Sequence, residues 1–244
     1  VTVLLTGGSG RLGRELRRLM PEVVAPTSQE LDVTEAAQVL SVVREVTPEV
    51  IVHAAAYTDV TRAETERAAC WAVNVSGTRH VAAATTAVNA KLVHISTDYV
   101  FSGEMGGYRE GDTPGPVANH YALTKLVAEE AARSAREHLI IRTSFRPRDF
   151  AYPVAFTDMY TSQDYVDVLA PLLADVIRHA RVIQEPVLHV GTGRKSVYEL
   201  ARRRRPDVKS GLRAQAGVVL PADVSLNTER WQALCALWTA SDSA

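Results

Sequence analysis

The sequence predicts an α/β chain: a doubly wound parallel sheet carrying a small C-terminal lobe. Two observations lead there. Through residue 144, short apolar runs alternate with amphipathic helical stretches, the pattern of a parallel sheet covered on both faces. The first apolar run also enters a glycine-rich turn, TGGSGRLG, directly before the first helical stretch. Together they describe a Rossmann-type arrangement.

Taken in order, VTVLLTG (1–7) is a buried strand, and Pro21 ends the helix over RLGRELRRLM. EVVAP (22–26) reads as a second short strand. Thr34 is placed as the N-cap of a helix through EAAQVLSVVREV that stops before Pro48. EVIVHAAA (49–56) is the next buried strand, and residues 64–90 read as one long helix bent near Gly77. KLVHIST (91–97) is a strand, a loop rich in glycine and proline covers 102–118, a helix spans 120–137, and HLIIRTS (138–144) is a further strand. After Ser144 the periodicity loosens. FRPRDFAYPVAF has little pattern, whereas DYVDVLAPLLADVIRHA is helical and PVLHVGTG is strand-like. Helices around SVYELARRR and TERWQALCALW follow, with Trp231 and Trp238 as core anchors of the last. The expected division is a core over 1–144, to which 165–190 returns, and a small second lobe from 145–164 and 191–244.

The chain's 244 residues suffice for one substantial core with a smaller lobe. A formal net charge of −1 gives no electrostatic basis for binding nucleic acid or an anionic membrane. Cys70 and Cys235 lie far apart and without metal-ligand spacing, so two reduced thiols and a cytoplasmic location are expected. VTVLLTGG reads as a core strand rather than a signal peptide, and no apolar run reaches membrane-spanning length. No His/Cys/Asp/Glu cluster has metal spacing.

Gly7, Gly10 and Gly13 stand in G-x-x-G-x-x-G spacing between strand and helix. Glycine permits the tight turn and lets the backbone approach a pyrophosphate, which then sits at the positive end of the helix. Any strand-to-helix turn can use glycine, so the loop gains its weight from context. In many NAD-binding units an acid closes the second strand and bonds the adenosine ribose. Here that strand ends in Pro26, Thr27 and Ser28, and Arg11 inside the loop offers a guanidinium to a 2′-phosphate. NADP(H) is therefore the preferred cofactor; Glu30, close by, keeps NAD(H) open.

NHYALTK (119–125) puts Tyr121 and Lys125 on one helical face. A free tyrosine, with a pKa of about 10, is a poor acid-base catalyst at neutral pH, and a nearby ammonium stabilises its phenolate. Lysine occurs only at positions 91, 125, 195 and 209. Chance then supplies such a pair roughly 0.13 times, so a solvated helix pair is the less favoured reading. HISTDYVF (94–101) adds a strand ending in Ser96 and Thr97, whose hydroxyls face the carboxyl edge of the sheet, where ligands of α/β folds bind.

At this point the sequence resembles the extended short-chain dehydrogenase/reductase family, and within it the sugar-nucleotide reductase group. The stretches that carry the resemblance are TGGSGRLGREL, LDVT, HAAAYTDVTRAE, VNVSGTRHVA, LVHISTDYVFSG, YREGDTPGPVANHYALTKLVAEE and IIRTS, which together span nearly all of residues 1–144. The resemblance implies that Thr97 is a catalytic hydroxyl and Tyr121 a general acid. It implies that Lys125 lowers the tyrosine pKa and holds the nicotinamide ribose. Gly7, Gly10, Arg11, Leu12 and Gly13 would form the dinucleotide loop, with Ser28, Asp32 and Val33 at the adenine end and Ala54, Ala55 and Ala56 along the cofactor. Thr97, Asp98, Tyr121 and Phe145 would meet the substrate. The implied activity is NAD(P)H-dependent reduction of a nucleotide-activated keto-deoxysugar, at C4 of a dTDP-4-keto-6-deoxyhexose. A homodimer is a family-level expectation.

Asn74 either holds a water of a proton relay or bonds backbone, while His53 and His94 read as satisfied core histidines. ARRRRPD (201–207) reads as a solvated helix end. GTGRKS (191–196) sets Arg194 and Lys195 beside glycines, where they could face a substrate pyrophosphate, but lacks P-loop spacing. The sequence departs from the family after RTS, where Phe145-Arg146-Pro147 replaces a WVY-like stretch, so sugar identity does not transfer. The short second lobe also suits a non-catalytic NADP-binding regulatory subunit, against which intact Thr97, Tyr121 and Lys125 argue. An epimerase or dehydratase of the same superfamily is a weaker reading; a dehydratase would need an acid and a base beside the hydroxyl, and Asp98 and Tyr99 after Thr97 meet half of that.

Overall fold

The computed structural model describes residues 1–216 and 220–242, so part of the stretch expected in the second lobe lies outside the described residues. In chain order, β1 (Val3–Thr6) leads to α1 (Arg11–Leu19), α2 (Ala36–Val46) and β2 (Val50–His53). Next come α3 (Val60–Ala63), α4 (Arg67–Trp71), a π turn over Ala72–Ser76, α5 (Gly77–Ala87), β3 (Lys91–Thr97), α6 (His120–Ala132) and β4 (Glu137–Thr143). The short strands β5 (Phe145–Arg146), β6 (Val154–Phe156), β7 (Tyr160–Thr161) and β8 (Asp164–Tyr165) precede α7 (Val166–Arg178) and β9 (Val187–His189). β10 (Lys195–Ser196), α8 (Val197–Arg202), β11 (Lys209–Gly211) and α9 (Glu229–Asp242) complete the described chain.

Five strands pair in parallel in the order β1-β2-β3-β4-β9. Side chains alternate between the faces as the period of two requires. Leu5, Val52, Val93 and Leu139 pack with α1 and α7, while Leu4, Ile51, Leu92 and Ile140 pack with α2 and α5. Both faces are covered, which is why these strands read as continuous apolar runs.

The expected second strand shrinks to one bridge between Leu4 and Val24, because Pro26 has no N–H to continue a ladder. Its position still matters. The chain leaves β1 toward Val24 on one side and returns to β2 on the other, so the carboxyl end of β1 is the topological switch point. Thr34 is not the cap of α2: its N–H and hydroxyl both donate to Asp32 Oδ1, and Glu35 holds the N-cap position. The helix expected over 64–90 is divided, with the π turn immediately before Gly77. α6 ends at Ala132 rather than 137, where Ser134 Oγ bonds the Ala131 carbonyl and turns the chain into β4.

A separate apolar cluster of Phe150, Met159, Tyr165, Val197 and Leu200 joins segments on both sides of α7. α9 does otherwise. Trp231 enters the sheet core and Trp238 stacks on His179 at 4.1 Å, so this last helix covers the same face as α1 and α7.

Candidate active site

A cavity of about 610 Å³ runs along the carboxyl edge of the sheet from the glycine loop to α6. Its first end is built by glycine. Gly7 has φ +73°, and a Cβ there would stand 2.6 Å from Ala55 N, so β1 and the loop after β2 can interlock only around glycine. A Cβ on Gly13 would lie 2.2 Å from the Gly7 carbonyl oxygen. The N-cap of α1 is Gly10, with no side-chain cap and no acid in the first turn, so the amides of α1 are open to an anion.

The other end is built by strand termini and α6. Asn119 caps α6 by accepting from Ala122 N at 2.8 Å, which starts the helix where Tyr121 and Lys125 both reach the cavity. Lys125 is buried and donates from Nζ to the Ile95 carbonyl at 2.8 Å. Burial pulls its pKa down to about 8, opposed by the charge of Glu129. Thr97, ending β3, donates to Asp98 Oδ1 at 3.1 Å and lies beside the Tyr121 phenol.

The expected lowering of the Tyr121 pKa is not what this geometry gives. Burial, then the charges of Asp98 and Tyr99, push it up, and the neighbouring Thr97 hydroxyl only moderates the rise. The ammonium of Lys125 is turned to a carbonyl rather than to the phenol. The result is a phenol held firmly protonated, which is the form a proton donor must have.

Of the other residues expected from sequence, Gly7, Gly10, Arg11, Leu12 and Gly13 line this cavity, as do Ser28, Asp32, Val33, Ala54, Ala55, Ala56 and Phe145. Two do not. Asp98 is buried behind Thr97 rather than on the wall, and burial raises its pKa to about 7 against the bonds from Thr97 and Ser144. Arg194 lies away from the cavity: its Nε donates to Asp223 Oδ2 at 2.7 Å and its guanidinium sits 3.8 Å from the Tyr160 ring centroid. Lys195 is likewise spent on Thr192, the Gly193 carbonyl and Asp164, so GTGRKS is a structural knot of the second lobe.

Asn74 bonds backbone. Its amide oxygen accepts from Tyr57 N at 2.8 Å, and its nitrogen donates to Thr124 Oγ1 at 2.9 Å, tying the loop after β2 to α6. His53 is satisfied by Thr6 and Thr78. His94 departs from expectation, buried with neither ring nitrogen bonded. Sequence reasoning missed Ser144 and Gln163, which line the cavity and bond each other at 2.8 Å. Ser144 directly follows the end of β4, whose last residue Thr143 pairs with Thr97, and that strand-end signal was available. It also missed the ion pair of Glu129 and Arg142, both about 1 % exposed, which receives Ser96 Oγ at 2.6 Å behind Lys125.

Whether the cavity suits a nicotinamide dinucleotide can be judged from its walls. The glycine cradle and the uncapped α1 suit a pyrophosphate, and Thr143 Oγ1 on the wall is buried without a partner. The residues fit the group. No cluster of three or more His, Cys, Asp or Glu able to hold a metal occurs among the described residues.

Fold and site thus define a Rossmann-type α/β protein with a Thr–Tyr–Lys set at the sheet's carboxyl edge. The sequence model described as RmlD substrate binding domain matches residues 1–146, and the chain belongs to that family. A dTDP-4-dehydrorhamnose reductase of Mycobacterium tuberculosis is 35% identical over 190 residues, 74% of this chain and 57% of that protein. One from Streptomyces griseus is 47% identical over 133 residues, 52% of this chain and 43% of the relative. The chain therefore spans about half the length of the curated relatives it matches. Among solved structures, the dTDP-4-dehydrorhamnose reductase of Bacillus anthracis in complex with NADP gives a TM-score of 0.82 at 30% identity, covering 92% of this chain and 89% of that one. A hypothetical dTDP-4-dehydrorhamnose reductase from Sulfolobus tokodaii gives 0.82 at 32%, covering 95% and 94%.

Proposed function

We propose that the chain is an NADP(H)-preferring reductase of a nucleotide-activated keto-deoxysugar, acting on the 4-keto group of a dTDP-4-dehydro-6-deoxyhexose. The observation that carries the reading is the convergence of Thr97, Tyr121 and Lys125 at one end of a cavity whose other end is an open glycine cradle. The relatives' names supply the substrate class, and the NADP bound to the Bacillus anthracis protein supports the cofactor.

The bound nicotinamide would supply the hydride. Gly7, Gly10 and Gly13 would admit the pyrophosphate against α1, with Arg11 and Leu12 beside it. Ser28, Asp32 and Val33 would border the adenine, and Ala54 to Ala56 the length of the cofactor. Lys125 would hold the nicotinamide ribose. Thr97 would bond the substrate carbonyl oxygen as charge develops on it, and Tyr121 would deliver its proton to that oxygen. Asp98 acts through Thr97, to which it is bonded. Phe145 would lie against the sugar, within a substrate lobe formed by 145–164 and the β10–α8–β11 region. Both proposed reactants are charged and water-soluble, which supports a cytoplasmic setting.

The test is NADPH oxidation with dTDP-4-keto-6-deoxyglucose. Turnover by the wild type that Tyr121→Phe removes, with NADPH binding retained, is the expected result. Tight NADPH binding without turnover on this or related keto sugars would refute the reductase reading.

A further inference from the structure

We propose that Arg14 and Arg17, on the outer face of α1, form the receptor for the phosphate monoester on the adenosine ribose of NADP(H); this rests on the cofactor reading above. A second cavity of about 480 Å³ is lined by Arg14, Arg17, Arg18, Pro21, Val23 and Ala25. Arg14 borders both this cavity and the larger one. The two meet where the second strand ends, with Ala25 on the wall of one and Pro26 and Ser28 on the wall of the other. A Cβ built on Gly8 would stand 2.9 Å from the Ala25 Cβ and 3.4 Å from Arg17 Cδ, so glycine loop, strand end and Arg17 surround one point. In dinucleotide folds the adenosine ribose lies at this strand end.

The charge there is uncompensated. Glu15, the acid within α1, is taken by Arg148 at 2.7 Å, with Arg18 leaning on it at 3.4 Å. Arg14 and Arg17 have no ion-pair partner among the described residues, and Arg14 Nη1 donates to the Ser9 carbonyl at 2.7 Å, which anchors it over the loop. The acids nearby on the other side are turned inward. Glu30 Oε2 accepts from Thr27 N and Oγ1, at 2.7 and 2.9 Å, and Asp32 Oδ1 accepts from Thr34. An acid that would bond a ribose 2′-hydroxyl is thus withdrawn, and two guanidinium groups stand in its place. Arg11, expected from sequence to meet this phosphate, borders only the larger cavity, at the pyrophosphate end of α1.

The experiment is calorimetric binding of adenosine 2′,5′-bisphosphate and of AMP to the wild type, Arg14→Ala, Arg17→Ala and Arg11→Ala. The wild type should prefer the bisphosphate by about 100-fold, and each of Arg14→Ala and Arg17→Ala should cut bisphosphate affinity about tenfold while AMP affinity holds. The ratio of NADPH to NADH dissociation constants should move in parallel. Equal affinity of the wild type for the two nucleotides would overturn the proposal. So would a preference that survives both substitutions and collapses in Arg11→Ala, or inorganic phosphate binding as tightly as the bisphosphate, which would mark a free-anion site. Failure of the wild type to bind either NADPH or NADH would remove the cofactor reading, and this proposal with it.

Discussion

At the scale of single residues, the site turns on the buried hydroxyl and carboxyl groups at the end of β3. Asp98 has its pKa raised to about 7 by burial and sits next to the Thr97–Tyr121 pair, whose phenol its charge makes harder to ionise. In the proposed reaction, proton delivery by Tyr121 would leave a phenolate, so ionised Asp98 would oppose the step. The reductive rate is therefore expected to fall as pH rises through about 7, and Asp98→Asn should remove that inflection; an unchanged profile in the variant would contradict it. Tyr121→Phe should lower kcat by about 10²–10⁴ with NADPH affinity kept, as the loss of a proton donor requires. Thr97, Tyr121 and Lys125 were legible in sequence because strand-end position and helical spacing are local. Arg194 was misread because what claims it, Asp223 and the Tyr160 ring, lies about 30 residues away on either side.

At the scale of elements, close approach and buried charge decide what the fold tolerates. Gly13→Ala would drive a methyl into the Gly7 carbonyl at 2.2 Å and the Gly8 Cα at 2.7 Å, backbone atoms that cannot give way cheaply. The expected outcome is loss of nucleotide binding along with a lower Tm, read by calorimetry and thermal melts. The Glu129–Arg142 pair joins α6 to β4 and, through Ser96 Oγ, to β3. Glu129→Gln leaves Arg142 buried without a charged partner and should cost about 3–5 kcal/mol in denaturant unfolding; a change below about 1 kcal/mol would contradict this account. Strands β1 to β4 were readable because burial on both faces leaves an unbroken apolar run. The π turn before Gly77 was not, since Asn74 acts there through Tyr57 and Thr124, partners that only tertiary structure supplies.

At the scale of the whole molecule, neutral histidines set the response to acid. His53 and His189 are held down to about 3 by burial, and His94 also lies well below its ordinary value. Unfolded histidine titrates near 6.5, so between about pH 6.5 and 3 the unfolded chain binds more protons and stability falls as pH falls. Asp98 works the other way: its folded pKa of about 7 exceeds the unfolded carboxylate value, so it adds stability on acidification through that window. Three groups oppose one, and urea midpoints should drop from pH 7 to pH 4, more steeply in Asp98→Asn. A midpoint that rises on acidification would contradict the assignment. The overall architecture was legible because alternation of strand and helix is a long-range signal made of local patterns. The region from 145 onward was less so, since its strands are two or three residues long and Gln163 reaches the site through Ser144.

The central claim is that Tyr121 and its neighbours complete a hydride transfer to a sugar carbonyl. The most direct measurement is the transfer of deuterium from NADPH labelled at nicotinamide C4 to dTDP-4-keto-6-deoxyglucose, read by mass spectrometry of the sugar product. The account predicts label at C4 of the product with the wild type and almost none with Tyr121→Phe, although both bind NADPH. Unlabelled sugar from a wild type that binds NADPH tightly would contradict it.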